Sequence, residues 1–204
     1  KPELLFHLPF DGSADAAFAK GAAKPLVAKG VSYAPGVKGQ AVHVGGGLGS
    51  VLKYAFKDNV VPERGTVSMW IRADGKVPQT GRYLFAPDTP FGLRNGTGAL
   101  YLWLWEGYAR IDSSDDCDLW VRSGLEADGR WHHLAATWNE AGVSVWVDAG
   151  GRSFDYAGGM GNTSLYECAR QPHSFRSWGA FDAFAAFSIG SQNGRGSFEG
   201  LIDE

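Results

Sequence analysis

Apolar and polar positions alternate with a period of two along most of this chain. Thr66 to Arg72 is the clearest case. Val67, Met69 and Ile71 fall on one face of an extended strand, and Ser68, Trp70 and Arg72 on the other. Val143, Val145 and Val147 alternate in the same way with Ser144, Trp146 and Asp148. Further strands are predicted at Leu4–Phe10, Gln40–Val44, Ser50–Phe56, Leu119–Arg122, Trp131–Trp138, Phe184–Ile189 and Phe198–Ile202. Leu100–Ile111 is long and aromatic, with room for a hairpin at Glu106-Gly107. Asp11-Gly12, Asp74-Gly75 and Asp128-Gly129 supply turn chemistry between these runs.

Two stretches lack the pattern. Ala14–Lys24 is rich in alanine but carries no apolar stripe long enough to dock a helix, so it reads as a loop with one turn. Gly150–Asp182 is polar and aromatic without clear alternation, and reads as a long loop. About ten short strands without helices predict an all-β fold, either a two-sheet sandwich or a closed barrel.

Composition agrees. Glycine accounts for 29 of 204 residues, and the 8 Trp, 7 Tyr and 12 Phe bring aromatics to 13%. Many tight turns and a ring-rich core suit an all-β chain. A net charge of −3 without a Lys/Arg cluster excludes a nucleic-acid footprint. No apolar run is long enough to span a membrane as a helix, and the start, Lys1-Pro2-Glu3-Leu4-Leu5, lacks a signal-peptide layout. No composition shift or repeat divides the chain, so residues 1–204 read as one domain, expected to be part of a larger multidomain protein. Cys117 and Cys168 both sit in polar, loop-like sequence. A disulfide between them is the expectation, and two free thiols the alternative.

Several local motifs occur in a fixed order: Leu8-Pro9-Phe10-Asp11-Gly12, then Tyr33–Val42, then Gly65–Ile71. Trp131-His132-His133-Leu134-Ala135-Ala136-Thr137-Trp138, Val145-Trp146-Val147-Asp148 and Phe198–Glu204 follow. In this order they resemble the laminin G-like, concanavalin A-like lectin/glucanase domains. The resemblance implies a jelly-roll sandwich of two antiparallel sheets. It also implies an accessory module, secreted or at a cell surface, that binds glycan or packs against a catalytic domain. A structural calcium is a further implication, and Asp11 and Asp203 are the carboxylates at the matching positions.

Catalysis is not expected. Sandwich glycosidases of this kind present paired carboxylates from one strand, and no Glu-x-Asp or Glu-x-Glu falls on any predicted strand. Asp203 and Glu204 are adjacent and face opposite sides. The same argument splits His132 from His133, one packed and one on the surface, so they share no ligand sphere. The acidic run Asp112–Asp118 lacks EF-hand spacing and reads as a solvated loop.

The candidate binding site is Leu100–Trp105. Three leucines share one face and Tyr101, Trp103 and Trp105 the other. With the leucines in the core, three rings line the outer face of a sheet, and such rings stack on the apolar faces of sugars. Arg82, Arg94 and Tyr108 flank this strand as candidate hydrogen-bonding partners for the sugar. The competing arrangement buries the rings, in the core, under a loop or against a neighbouring domain. The leading expectation is therefore a non-catalytic carbohydrate-binding module. The alternative is a structural domain that packs on a neighbouring module and binds no sugar.

Overall fold

A computed structural model describes residues 2–45, 49–61, 63–75, 82–88, 101–105, 108–112, 118–122, 128–139, 142–148, 150–155, 159–161, 184–194 and 196–204. No helix occurs among them. Two antiparallel sheets form a jelly-roll sandwich.

The strands are β1 (Phe6–His7), β2 (Phe18–Ala19), β3 (Val27–Lys29), β4 (Ser32–Pro35), β5 (Gln40–Val44) and β6 (Val51–Ala55). They continue with β7 (Gly65–Ala73), β8 (Arg82–Pro87), β9 (Tyr101–Trp105), β10 (Tyr108–Asp112) and β11 (Asp118–Arg122). The last are β12 (His132–Asn139), β13 (Gly142–Val147), β14 (Gly150–Asp155), β15 (Gly159–Gly161), β16 (Ala186–Ile189) and β17 (Gly200–Asp203). A seven-stranded sheet has the order β11-β10-β9-β8-β16-β6-β3, and an eight-stranded sheet the order β15-β14-β13-β12-β7-β17-β5-β4. β1 and β2 pair separately, with Phe6 opposite Ala19 and His7 opposite Phe18.

The alternation seen in the sequence becomes the division between core and surface. Met69 and Ile71 of β7, Leu134 and Ala136 of β12 and Val145 and Val147 of β13 point inward from the larger sheet. Leu52 and Tyr54 of β6, Leu102 and Leu104 of β9, and Phe187 and Ile189 of β16 meet them from the smaller. Burying aliphatic and aromatic side chains of this size stabilises the sandwich by about 1.5–3 kcal/mol each. The Tyr54 hydroxyl donates to the Ala14 carbonyl at 2.8 Å, which satisfies the one polar atom of a buried ring.

Local pattern misses some pairings. Gly150–Asp155 and Gly159–Gly161, expected within a loop, extend the larger sheet beyond β13. Glycine offers no side-chain alternation, so only the neighbouring strand makes these segments strands. β2, β3 and β4 are likewise short, and their partners define them. The expected hairpin is present, with Tyr108 opposite Trp105 across a two-residue connection. No described helix is long and apolar enough to cross a membrane.

Candidate functional site

β9 carries the site. Leu102 and Leu104 are each 1% exposed and face the core, so the half-buried Tyr101 and Trp103 alternate to the opposite face. The rings therefore do not form the core of the sandwich. Register then sets their neighbours. Tyr83 on β8 lies opposite Trp103, and on β10 Tyr108 lies opposite Trp105, Arg110 opposite Trp103 and Asp112 opposite Tyr101. On β11, Trp120 lies opposite Arg110 and Arg122 opposite Tyr108. The described side chains thus bring Tyr83, Tyr101 and Trp103 together on β8 and β9.

The described rings are half-buried and in contact. Tyr83 stacks on Trp103 with centroids 5.5 Å apart and planes 10° apart. Tyr83 also meets Tyr101 edge to face at 5.5 Å. Gln192 Nε2 donates to the Tyr101 hydroxyl at 3.2 Å, fixing that ring. These contacts fix the three rings relative to one another. Tyr83 was not singled out from the sequence. A register irregularity between Tyr83 and Phe85 interrupts the period of β8, and Leu84, Phe85 and Ala86 are all buried.

Arg82 does not join the rings. It lies opposite Leu104, on the leucine side of β9, and its Nη2 is 3.7 Å from Glu199 Oε1. Trp105 and Tyr108 are paired positions of the β9–β10 ladder. Arg94, Cys117 and Cys168 lie outside the described residues. Asp112 and Asp118 sit opposite each other at the ends of β10 and β11, and residues 113–117 of the acidic run lie outside the description.

Asp11 and Asp203 flank one hairpin turn. Asp203 is fully buried, its Oδ2 accepts the backbone N–H of Val37 at 2.7 Å and of Lys38 at 3.1 Å, and its Oδ1 accepts that of Glu204 at 3.0 Å. Asp11 Oδ1 accepts the N–H of Gln40 at 2.8 Å. Calcium takes six to eight oxygens, and among the described residues no three His, Cys, Asp or Glu side chains gather closely enough to hold a metal. As the residues stand, both acids act as clamps on the β4–β5 turn.

The two histidines divide as adjacent strand residues must. His132 is on the core side, 7% exposed, with Nδ1 2.9 Å from Asp148 Oδ2 and Nε2 3.3 Å from both Asp128 oxygens. His133 is on the outer face, 2.8 Å from the Ser68 hydroxyl and tilted against Trp70 with centroids 5.0 Å apart. Arg130 donates its backbone N–H and its guanidinium to Asp128 and holds that carboxyl at about 2. Partial burial pulls Asp148 upward, but hydrogen bonds from His132 and the His133 backbone outweigh it, and the carboxyl lies below its ordinary value.

Comparison with known proteins places this geometry. The family model described as concanavalin A-like lectin/glucanases superfamily matches residues 49–164. No curated protein matches the sequence significantly. Among solved structures, domain 4 of a GH43 extracellular arabinanase from Geobacillus stearothermophilus, solved in complex with arabinotriose, aligns with a TM-score of 0.63. That alignment covers 98% of this chain and 89% of the other at 18% identity. The CBM40 of the Ruminococcus gnavus IT-sialidase aligns with a TM-score of 0.52 at 9% identity, over 80% of this chain and 86% of that one. The binding domain of botulinum neurotoxin serotype D aligns with a TM-score of 0.61 at 9% identity, over 98% of this chain and 47% of that one. At such identities these likenesses carry the fold.

Proposed function

The chain belongs to the concanavalin A-like lectin/glucanases superfamily, and from that premise we propose that it is a non-catalytic carbohydrate-binding module working outside the cell. Glycan would lie along the outer face of the seven-stranded sheet, over the row that contains Tyr83, Tyr101, Trp103 and Trp105. The observation that carries this reading is the pre-packed stack of Tyr83 on Trp103 beside Tyr101, on the face opposite the buried leucines. Ring faces and edges held on a half-exposed sheet suit the C–H surfaces of sugars, while charged positions at the border suit hydroxyls. Strand rise gives the row about 13 Å along β9 from Tyr101 to Trp105, with Tyr83 about 5 Å away on the next strand. That extent favours an oligosaccharide chain over a single sugar. The arabinanase domain that shares the fold was solved with arabinotriose, and the sialidase CBM40 with α2,3-sialyllactose. Domains of this architecture therefore accommodate both neutral and acidic saccharides, and the polysaccharide class is the quantity to measure.

The test is affinity electrophoresis of the domain through a panel of neutral and acidic polysaccharides. Retardation by one or two polymers is expected, lost in Trp103→Ala and in Trp105→Ala and retained in Trp70→Ala on the other sheet. Trp103→Ala also removes the stack on Tyr83, worth about 0.5–1.5 kcal/mol, so a thermal melt must accompany each variant to separate lost binding from lost folding. A wild-type domain that no polymer retards would overturn the lectin reading and favour a module that packs on a neighbour.

A further inference from the structure

Beside the rings, the outer face of the seven-stranded sheet carries an ion pair. Lys53 stands on β6 between Leu52 and Tyr54, which point into the core, so it points outward. Ser188 stands on β16 between Phe187 and Ile189 and takes the same face. Register puts Lys53, Ser188 and Ala86 in one row across β6, β16 and β8. Asp88 lies two residues beyond Ala86, and its N–H donates to the Ala186 carbonyl at 2.8 Å, which continues the β8–β16 ladder. Lys53 Nζ reaches across β16 and pairs with Asp88 Oδ2, the side chains being 21% and 18% exposed. The outward residues of β16 along that path, Ala186 and Ser188, are small and buried. Toward the rings, Phe85 lies opposite Leu102 of β9, so Ala86 comes beside Tyr101. Asp88 is then a diagonal neighbour of Tyr101, with about 7–8 Å between the two positions.

We propose that the Lys53–Asp88 pair is the specificity element of the ring face, and that the glycan it takes is an uncharged polysaccharide with adjacent free hydroxyls. The pair's role presupposes the lectin reading given above. Charges held mostly out of water have to be paired, and here each partner neutralises the other. What remains is hydrogen-bonding capacity. An ammonium has three donors and a carboxylate about four acceptor sites, and one contact between them uses a single donor and a single site. A sugar ring seated beside Tyr101 meets both kinds together. One hydroxyl donates to Asp88 while its neighbour on the ring accepts from Lys53, and bonds to ionised groups are the strong ones. A carboxylated or sulfated sugar in the same place meets the Asp88 carboxylate with Lys53 already engaged, and like charges brought together select against it.

The experiment runs the wild-type domain and three variants through neutral polysaccharides (arabinan, xylan) and acidic ones (alginate, polygalacturonate), with a thermal melt of each protein. Wild type should be retarded by a neutral polymer and by neither acidic one. Asp88→Asn leaves the lysine charge uncompensated. It should weaken neutral binding about tenfold or more, the worth of one charge-assisted hydrogen bond, and gain retardation by an acidic polymer. Lys53→Met should weaken neutral binding to a similar degree with no acidic gain. Where a single variant fails to fold because it strands a charge, the double variant Lys53→Met/Asp88→Leu has none to strand, and it should fold and show the same loss. An ion pair that only braces the sheet would lower the melting temperature and leave the choice of polymer alone, so unchanged selectivity in Asp88→Asn overturns the proposal. Full neutral binding by the double variant overturns it too. A wild type retarded by acidic polymers overturns it while the lectin reading stands, whereas a wild type retarded by no polymer overturns both.

Discussion

His132 sits where an ionisable group is costly, on the core side of β12, and the cost is met by two turn carboxylates. Asp128 comes from the Asp-Gly turn before the strand. Asp148 comes from the turn after β13, where its φ of 51° places it in the left-handed region that Asp and Asn tolerate. Alternation alone separates His132 from His133. It does not reveal that acids from two turns converge on one imidazole, because those positions depend on the turns and not on the strands. Both carboxyls titrate below their ordinary value in the folded protein, Asp128 at about 2. A depressed folded pKa means stabilisation that is complete above the unfolded value near 3.9 and lost as pH falls toward the folded one. The expected stability profile is flat in these groups at neutral pH and declines below about pH 4. Asp148→Asn keeps the backbone conformation but removes the charge. It should lower the melting temperature at pH 7 and flatten the decline between pH 4 and 2. Thermal melts across that range decide the matter, and parallel profiles for the two proteins would refute the linkage.

Among the elements, the β4–β5 hairpin shows how distant parts of the chain fix a local turn. Gly36 donates its N–H to the Gly39 carbonyl at 3.1 Å and closes the loop. Asp203 from β17 then clamps it through Val37 and Lys38, and Asp11 clamps it through Gln40. Gly39 has φ of 66° and a Cβ there would meet Asp11 Oδ1 at 2.0 Å, so both conformation and space require glycine. Hydrogen bonds to a buried charged acceptor contribute about 1.5–3 kcal/mol each. Asp203→Asn should therefore destabilise the domain by about 2–3 kcal/mol. The loss should be the same with excess calcium and with a chelator, if the turn is what this carboxylate holds. A loss confined to the calcium-loaded protein would instead make Asp203 a metal ligand. The acids at these positions were legible in the sequence; the N–H groups they accept were not, because a turn 29 residues from Asp11 and 165 from Asp203 supplies them. Arg82 shows the same difficulty in the aromatic site. Its proximity to β9 was legible, but the face it takes depends on the register between β8 and β9.

In the whole molecule, the sandwich and the aromatic row both follow from period-two patterning. What patterning leaves open is how the ends of the sandwich close, and Phe187 is central to that closure. On β16 its ring meets Phe6 at 5.5 Å, Tyr54 at 5.7 Å and Phe85 at 5.4 Å, with Phe56 at 6.5 Å. These partners come from the N-terminal segment, β6, β8 and the residue that follows β6, so one side chain joins pieces that no local pattern relates. Phe187→Ala should cost about 3–5 kcal/mol, since a fully buried ring leaves a cavity its neighbours fill only in part. The loss should not fall evenly. β6 and β8 keep their backbone ladders to β16, but among the described segments the N-terminal strand β1 pairs only with two-residue β2, and Phe6 is its ring contact with Phe187 while Leu8 and Phe10 anchor the chain just after it. Segments with few backbone partners open first when packing is lost. In the variant, amides of Leu5–Leu8 and Phe18–Ala19 should therefore lose protection by a larger factor than those of β6 and β8, measured by hydrogen exchange in conditions where the domain stays folded. An even loss across all of these strands would mean that the sandwich opens as a single unit and that the N-terminal segment is held by more than its ring.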